Sequence, residues 1–197
     1  KEAVDNSLDA CNEAKILPEL IVEIKKITED RFKVIVEDNG PGIVKEQIPK
    51  IFAKLLYGSK FHHLRQNRGQ QGIGISASVL YSQLTTGKPS VIISKISPKK
   101  PAHYYELNID TKKNEPNVMM DKVVEWKKDQ GTRIEIELEG RYQKGKQSVD
   151  EYIKQTVIVN PQAQITYTNP EKEKIEYSRV TEELPKETNE IKPHPYG

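Results

Sequence analysis

One cysteine, one tryptophan and two methionines are the scarcest features of this chain. The single thiol, Cys11, excludes an internal disulfide and a cysteine metal cluster, fits a reducing compartment, and is expected to be a small buried hydrophobe. No apolar run approaches the roughly 20 residues that a membrane-crossing helix needs. The opening Lys1-Glu2-Ala3-Val4-Asp5 has neither the basic region nor the apolar core of a secretory signal. An excess of one charge is missing too: 31 basic and 29 acidic side chains leave a net charge of +2, far from the surplus of a dedicated nucleic-acid binder. The G-x-x-x-x-G-K-[ST] spacing of the common phosphate loop is also absent. What remains is 197 residues, 35% hydrophobic and 30% charged, enough for one sizeable domain or a domain plus a tail.

The chain is organised around Arg68-Gly69-Gln70-Gln71-Gly72-Ile73-Gly74-Ile75-Ser76, which runs into Ala77-Ser78-Val79-Leu80. Three glycines at GxxGxG spacing followed by apolar residues at Ile73, Ala77, Leu80 and Leu84 predict a loop feeding the first turn of a helix. Free N–H groups at such a terminus carry partial positive charge, and glycine brings bare backbone up to a phosphate. Taken alone, such a cluster is more often a turn than a nucleotide site.

Residues 1–14 read as a helix that begins without an N-cap, as a fragment cut near the helix start does. Val4, Leu8 and Cys11 share one face, and Glu2, Asn6 and Asp9 form a column on the other. That column is either an ordinary solvated face or two carboxylates and a carboxamide lined up to bind hydrated Mg²⁺ and activate a water. Leu20–Ile24 and Phe32–Val36 predict a β-hairpin that ends in Glu37-Asp38-Asn39-Gly40-Pro41-Gly42-Ile43. This is a strong turn signal, or a loop whose Asp38 accepts a hydrogen bond from an exocyclic amine such as N6 of adenine while Gly40 and Gly42 make room for the ring. Val44–Leu56 read as two helical pieces broken at Pro49. Ser59 and Lys60 follow within reach of a phosphate or ribose, and the adjacent His62 and His63 lack a third ligand at metal spacing.

Strands are predicted at Val91–Ile96, Tyr104–Ile109, Lys122–Trp126 and Thr132–Leu138, with Gly131-Thr132 placing a hydroxyl behind Asp38. Ser148-Val149-Asp150-Glu151 has capping-box form and opens a helix to about Val159. Gln164–Thr168 and Lys174–Ser178 form a last hairpin. From Glu182 onward the chain turns polar and proline-rich, so the expected organisation is a domain over residues 1–180 and a linker over 181–197 leading to something beyond.

In this order, the Glu2-xxx-Asn6-xx-Asp9 helix, the Asp38-x-Gly40-x-Gly42 loop, the Gly69-xx-Gly72-x-Gly74 loop and Gly131-Thr132 resemble the GHKL ATPase superfamily. Within it, Glu2-Ala3-Val4-Asp5-Asn6-Ser7-Leu8-Asp9-Ala10, Leu56–Phe61, Arg68–Leu84 and Lys192-Pro193-His194-Pro195-Tyr196-Gly197 are similar to the B subunits of archaeal and plant type IIB DNA topoisomerases. The resemblance implies an α+β fold, a two-layer α/β sandwich of the Bergerat type with helices on one face of a mixed, mainly antiparallel sheet. It implies ATP and Mg²⁺ as cofactors, with Glu2 as general base, Asn6 as metal ligand and Asp38 as adenine reader. Gly69, Gln70, Gln71, Gly72, Ile73, Gly74, Ile75 and Ser76 would form a lid over the phosphates, with Ser59, Lys60, Asp9 and Thr132 contributing. Its implied partners are a second copy that closes on ATP, a DNA-cleaving A subunit and duplex DNA, in a prokaryotic, archaeal cytoplasm and without a membrane. A segment before Lys1 that helps build the dimer and a downstream transducer would be missing, and this chain alone would hydrolyse ATP poorly. A histidine-kinase, chaperone or mismatch-repair type of the same superfamily, and a module that uses nucleotide only as a switch, are the alternatives.

Overall fold

The computed structural model describes residues 1–53 and 74–186. Helix α1, Glu2–Glu13, buries Val4, Ser7, Leu8 and Cys11, the predicted apolar stripe with one serine added. Its end has a form that no glycine announces. Lys15 adopts a left-handed φ of 57°, its N–H reaches Asn12 O at 3.1 Å and the N–H of Ile16 reaches Cys11 O at 2.8 Å, a Schellman closure built on lysine.

Strands β1 (Glu19–Lys26) and β2 (Arg31–Glu37) form the predicted hairpin, followed by a 3₁₀ turn over Lys45–Gln47 and the short helix α2, Ile48–Phe52. The expected break at Pro49 lies one residue earlier, because proline fits the first helical turn, where its missing N–H has no partner to lose. Helix α3 spans Gly74–Thr86, and β3 (Ser90–Lys95), β4 (Ala102–Asp110), β5 (Glu115–Val124) and β6 (Gly131–Glu139) follow. Helix α4, Val149–Val159, is capped by Ser148, whose hydroxyl accepts the N–H of Glu151; β7 (Gln164–Thr168) and β8 (Lys174–Tyr177) end the regular structure.

The eight strands form one sheet in the order β5-β4-β3-β6-β2-β1-β7-β8. Every pairing is antiparallel except that of β1 with β7. Register puts Val22, Val36, Ile134, Ile92 and Tyr105 in one row across five strands, on the face that the helices cover. Leu8 of α1 and Ile153 of α4 meet that face fully buried, and a buried aliphatic side chain of this kind contributes about 1.5–3 kcal/mol. The opposite face is charged: Glu37 pairs with Arg133 at 2.9 Å and with Lys128 at 3.0 Å, and Arg133 pairs with Glu135 at 2.7 Å.

Candidate nucleotide-binding site

Between α1, α3 and the sheet lies a cavity of about 250 Å³. Helix α1 offers it Glu2, Asn6, Asp9 and Glu13, positions that return to one face every three or four residues. The loop after β2 supplies Asp38, Pro41, Gly42 and Ile43, and Val36, Thr132 and Ile134 form the sheet side. Ile51 and Phe52 of α2 and Gly74 and Ile75 of α3 complete the wall. The helix column and the Asp38 loop, separate in sequence, thus face one space.

Asp38 is the most constrained group in it. Its carboxylate is 5% exposed and accepts three hydrogen bonds: Ser7 Oγ at 2.7 Å, Gly40 N at 2.9 Å and Thr132 N at 3.1 Å. Burial raises its pKa above the usual carboxylate value, and those three bonds together with the charge of Lys128 oppose the rise. The backbone reinforces the clamp, since Asp38 N donates to Thr132 O at 2.9 Å. Gly131 has φ +135°, and a Cβ there would overlap the carbonyl oxygen of Asp38, so only glycine lets β6 approach this closely. Gly42, at φ +71°, meets the same restriction against the carbonyl of Lys95.

Thr132 differs in detail from expectation. Its N–H, not its hydroxyl, supports Asp38; the hydroxyl pairs with Ser94 Oγ at 3.0 Å. Ser94 in turn accepts Ile43 N at 2.8 Å and reaches Gly131 O at 3.1 Å, tying β3, β6 and the glycine loop together. Asn39 does the same on the other side: its Oδ1 accepts Glu19 N at 2.9 Å and its Nδ2 donates to Leu17 O at 3.0 Å. Cys11 Sγ lies 3.6 Å from Asn39 Oδ1, and burial, then the charge of Asp38, pushes its thiol up to about 12. It is the buried small residue that was expected. Ser7, Ser94 and Asn39 escaped sequence reasoning; a polar residue in the apolar register of α1 or β3 was the available signal.

The other end is open in character. Glu2 packs against Gly74, where a Cβ would overlap its carboxylate, so that carboxylate sits at the first residue of α3. Among the described residues no group of three histidines, cysteines or carboxylates converges as a metal cluster. Gly40 and Ser76 border the cavity without lining it; the Ser76 hydroxyl turns inward to Ile51 O at 3.2 Å. Ser59, Lys60, Gly69, Gln70, Gln71, Gly72 and Ile73, with His62 and His63, lie outside the described residues.

Comparison with known proteins bears on the family and the fold. The chain is 58% identical over its whole length to the B subunit of type 2 DNA topoisomerase 6 from Methanococcoides burtonii and spans 32% of that protein. Its counterpart from Archaeoglobus fulgidus is 56% identical over the whole chain, which spans 33% of it. Among solved structures, the Aquifex aeolicus MutL ATPase domain complexed with ADP superposes with a TM-score of 0.57 at 19% identity, over 91% of this chain and 62% of that one. The N-terminal domain of a DNA repair protein gives 0.56 at 15% identity, over 91% and 51%. Both likenesses establish the fold, the mixed two-layer α+β architecture. The family described as histidine kinase-, DNA gyrase B- and HSP90-like ATPase matches residues 1–142, and this chain belongs to it.

Proposed function

We propose that this chain is the ATP-binding and ATP-hydrolysing part of a type IIB DNA topoisomerase B subunit. The name of relatives 56–58% identical over the full chain supports the assignment, although the chain spans only about a third of their length. The observation that carries the nucleotide reading is Asp38, a buried carboxylate fixed by three donors at the wall of a cavity whose opposite side is a column of oxygen ligands. A carboxylate held this way is an acceptor for the exocyclic amine of adenine and a poor partner for the carbonyl that guanine presents there.

Glu2 is assigned the general base: it takes the proton of a water whose oxygen bonds to the γ-phosphorus as the bond to the β-phosphate oxygen breaks, releasing ADP and phosphate. The donor set around it fits magnesium, because the Asn6 amide oxygen and the Glu2 and Asp9 carboxylates are hard oxygen ligands and too few to displace its waters. Asn6 would hold the ion, which when bound neutralises phosphate charge. The glycine stretch from Gly69 to Ser76, with Ser59 and Lys60, is assigned to the phosphates. Residues 1–180 form the nucleotide domain and 181–197 lead out of it. In the complete protein, ATP-driven pairing of two copies gates passage of a DNA duplex through a break made by a separate A subunit, in the cytoplasm. Among the described residues, no helix is long and apolar enough to cross a membrane.

The test is steady-state ATPase and nucleotide affinity of Glu2→Ala in the longer parent protein. Loss of turnover with affinity retained is the expected result; unchanged turnover removes Glu2 from the mechanism. Equal affinity of the wild type for ATP and GTP would remove Asp38 as the adenine reader.

A further inference from the structure

The end of α1 that carries Glu2 is held from two sides. On one, Gly74 of α3 comes so close that a Cβ there would overlap the Glu2 carboxylate. On the other stands Tyr152 of α4, whose Oη donates to Asp5 Oδ1 at 2.8 Å and lies 3.5 Å from Lys1 O. That carbonyl also accepts the first bond of the helix, from Asp5 N at 3.0 Å. One phenol, 147 residues further along the chain than Asp5, thus touches both ends of the first turn of α1, and Glu2 lies inside that turn.

A hold of this kind matters where it is placed. Helices fray at their ends, where the first N–H groups have no partner within the helix, and the N-cap residue here, Lys1, makes no side-chain cap. Helix α4 is itself fixed at the level of Tyr152. Ser148 Oγ accepts Glu151 N, Tyr152 N donates to Ser148 O at 3.1 Å, Tyr142 Oη donates to Asp150, and Ile153 is fully buried. Yet no described residue of α4 lines the main cavity, so whatever α4 does for that site it does through α1.

We propose that Tyr152 is a positioning residue for ATP hydrolysis, its hydroxyl fixing the first turn of α1 through Asp5 and so aiming the Glu2 carboxylate. The inference rests on the assignment of Glu2 as general base made above. A base must stay within hydrogen-bond reach of the water it deprotonates, and a displacement of about 1 Å can cost about 10²-fold in rate. The Asp38 end has its own tie to α1, Ser7 Oγ to Asp38 Oδ2 at 2.7 Å, which does not pass through the first turn. Loss of the Tyr152 hydroxyl should therefore reach the chemistry and spare the binding.

Tyr152→Phe in the longer parent protein removes one oxygen and keeps the ring. Its kcat should fall by about 10–100-fold, with KM for ATP and the melting temperature close to those of the wild type. Asp5→Ala should do the same, and the two together no more than either alone, because both remove one interaction. In a Glu2→Gln background Tyr152→Phe should slow turnover no further, since the group it aims is already gone. An unchanged kcat in Tyr152→Phe, with or without a change in KM or melting temperature, overturns the proposal. So does an equal further slowing in the Glu2→Gln background. The Glu2→Gln variant by itself keeps the two readings apart: turnover preserved there refutes the general-base assignment, whereas turnover lost there and kept in Tyr152→Phe refutes the positioning role alone.

Discussion

The two sides of the main cavity differ in how their polar groups are satisfied. Around Asp38 every donor comes from the protein itself: a serine from α1, and backbone N–H groups from the loop and from β6. Along α1, Glu2, Asn6 and Asp9 line the cavity from a single helix face. In the function proposed above, the first side would be a preformed template that discriminates between ligands, and the second a set of groups that would act once one is bound. On that proposal, specificity would be a property of packing, and chemistry a property of one helix face. Damage to the first should therefore appear in affinity and stability, and damage to the second in turnover.

The largest effect should come from the chemical side. Glu2→Gln in the longer parent is expected to slow hydrolysis by about 10²–10⁴-fold, the usual weight of a general base, with ATP affinity nearly unchanged. A parallel loss of affinity would break the division. Next is Gly131→Ala, which forces a side chain onto the Asp38 carbonyl at a φ of +135°. Backbone strain alone costs about 1–3 kcal/mol, and both thermal stability and ATP affinity should fall.

Asp38→Asn should then weaken ATP binding by about 1–3 kcal/mol and narrow the preference over GTP, measured by calorimetry. Acidity offers a second view of the same group. Since burial raises the Asp38 pKa, the folded chain keeps that proton to higher pH than the unfolded chain. Its contribution to stability is therefore present below the unfolded value of about 3.9 and is lost as pH rises through the folded one. Nucleotide binding runs the other way, because the acceptor must be ionised: ATP affinity should fall as pH drops through that window, and Asp38→Asn should flatten the profile. Smallest is Ser148→Ala, which removes the cap of α4, a helix that contributes no residue to the cavity lining. A loss of about 1 kcal/mol in melting, with no change in nucleotide affinity, marks the background against which the others are judged.

Much of this was legible in the sequence where a pattern has one physical meaning. The α1 stripe, the alternation of β6 and the Ser148 cap translate directly into buried faces and a satisfied helix end. Strand β5 was not legible over its first half. Its residues from Glu115 to Val123 are nearly all exposed on both faces, so no alternation marks it, and an irregularity opposite Glu106 and Leu107 breaks its register. The candidate site divides in the same way. Side chains that face the cavity carry recognisable types at recognisable spacing, whereas the Thr132 N–H and the Ser94 bridge exist only once β6 and β3 are paired. No local signal encodes a backbone donor.

The clamp on Asp38 also has a history during synthesis. One of its donors comes from α1 and one from its own loop, but the third lies 94 residues further on. At about 5–20 residues per second, a ribosome needs roughly 5–19 s to add that stretch. Through that interval the emerging chain carries a carboxylate whose final partner has not yet been made, together with two strands whose neighbours β6 and β7 are still to come. A chaperone that shields the β1–β2 hairpin in those seconds would protect the Asp38 end of the cavity until β6 arrives to close it.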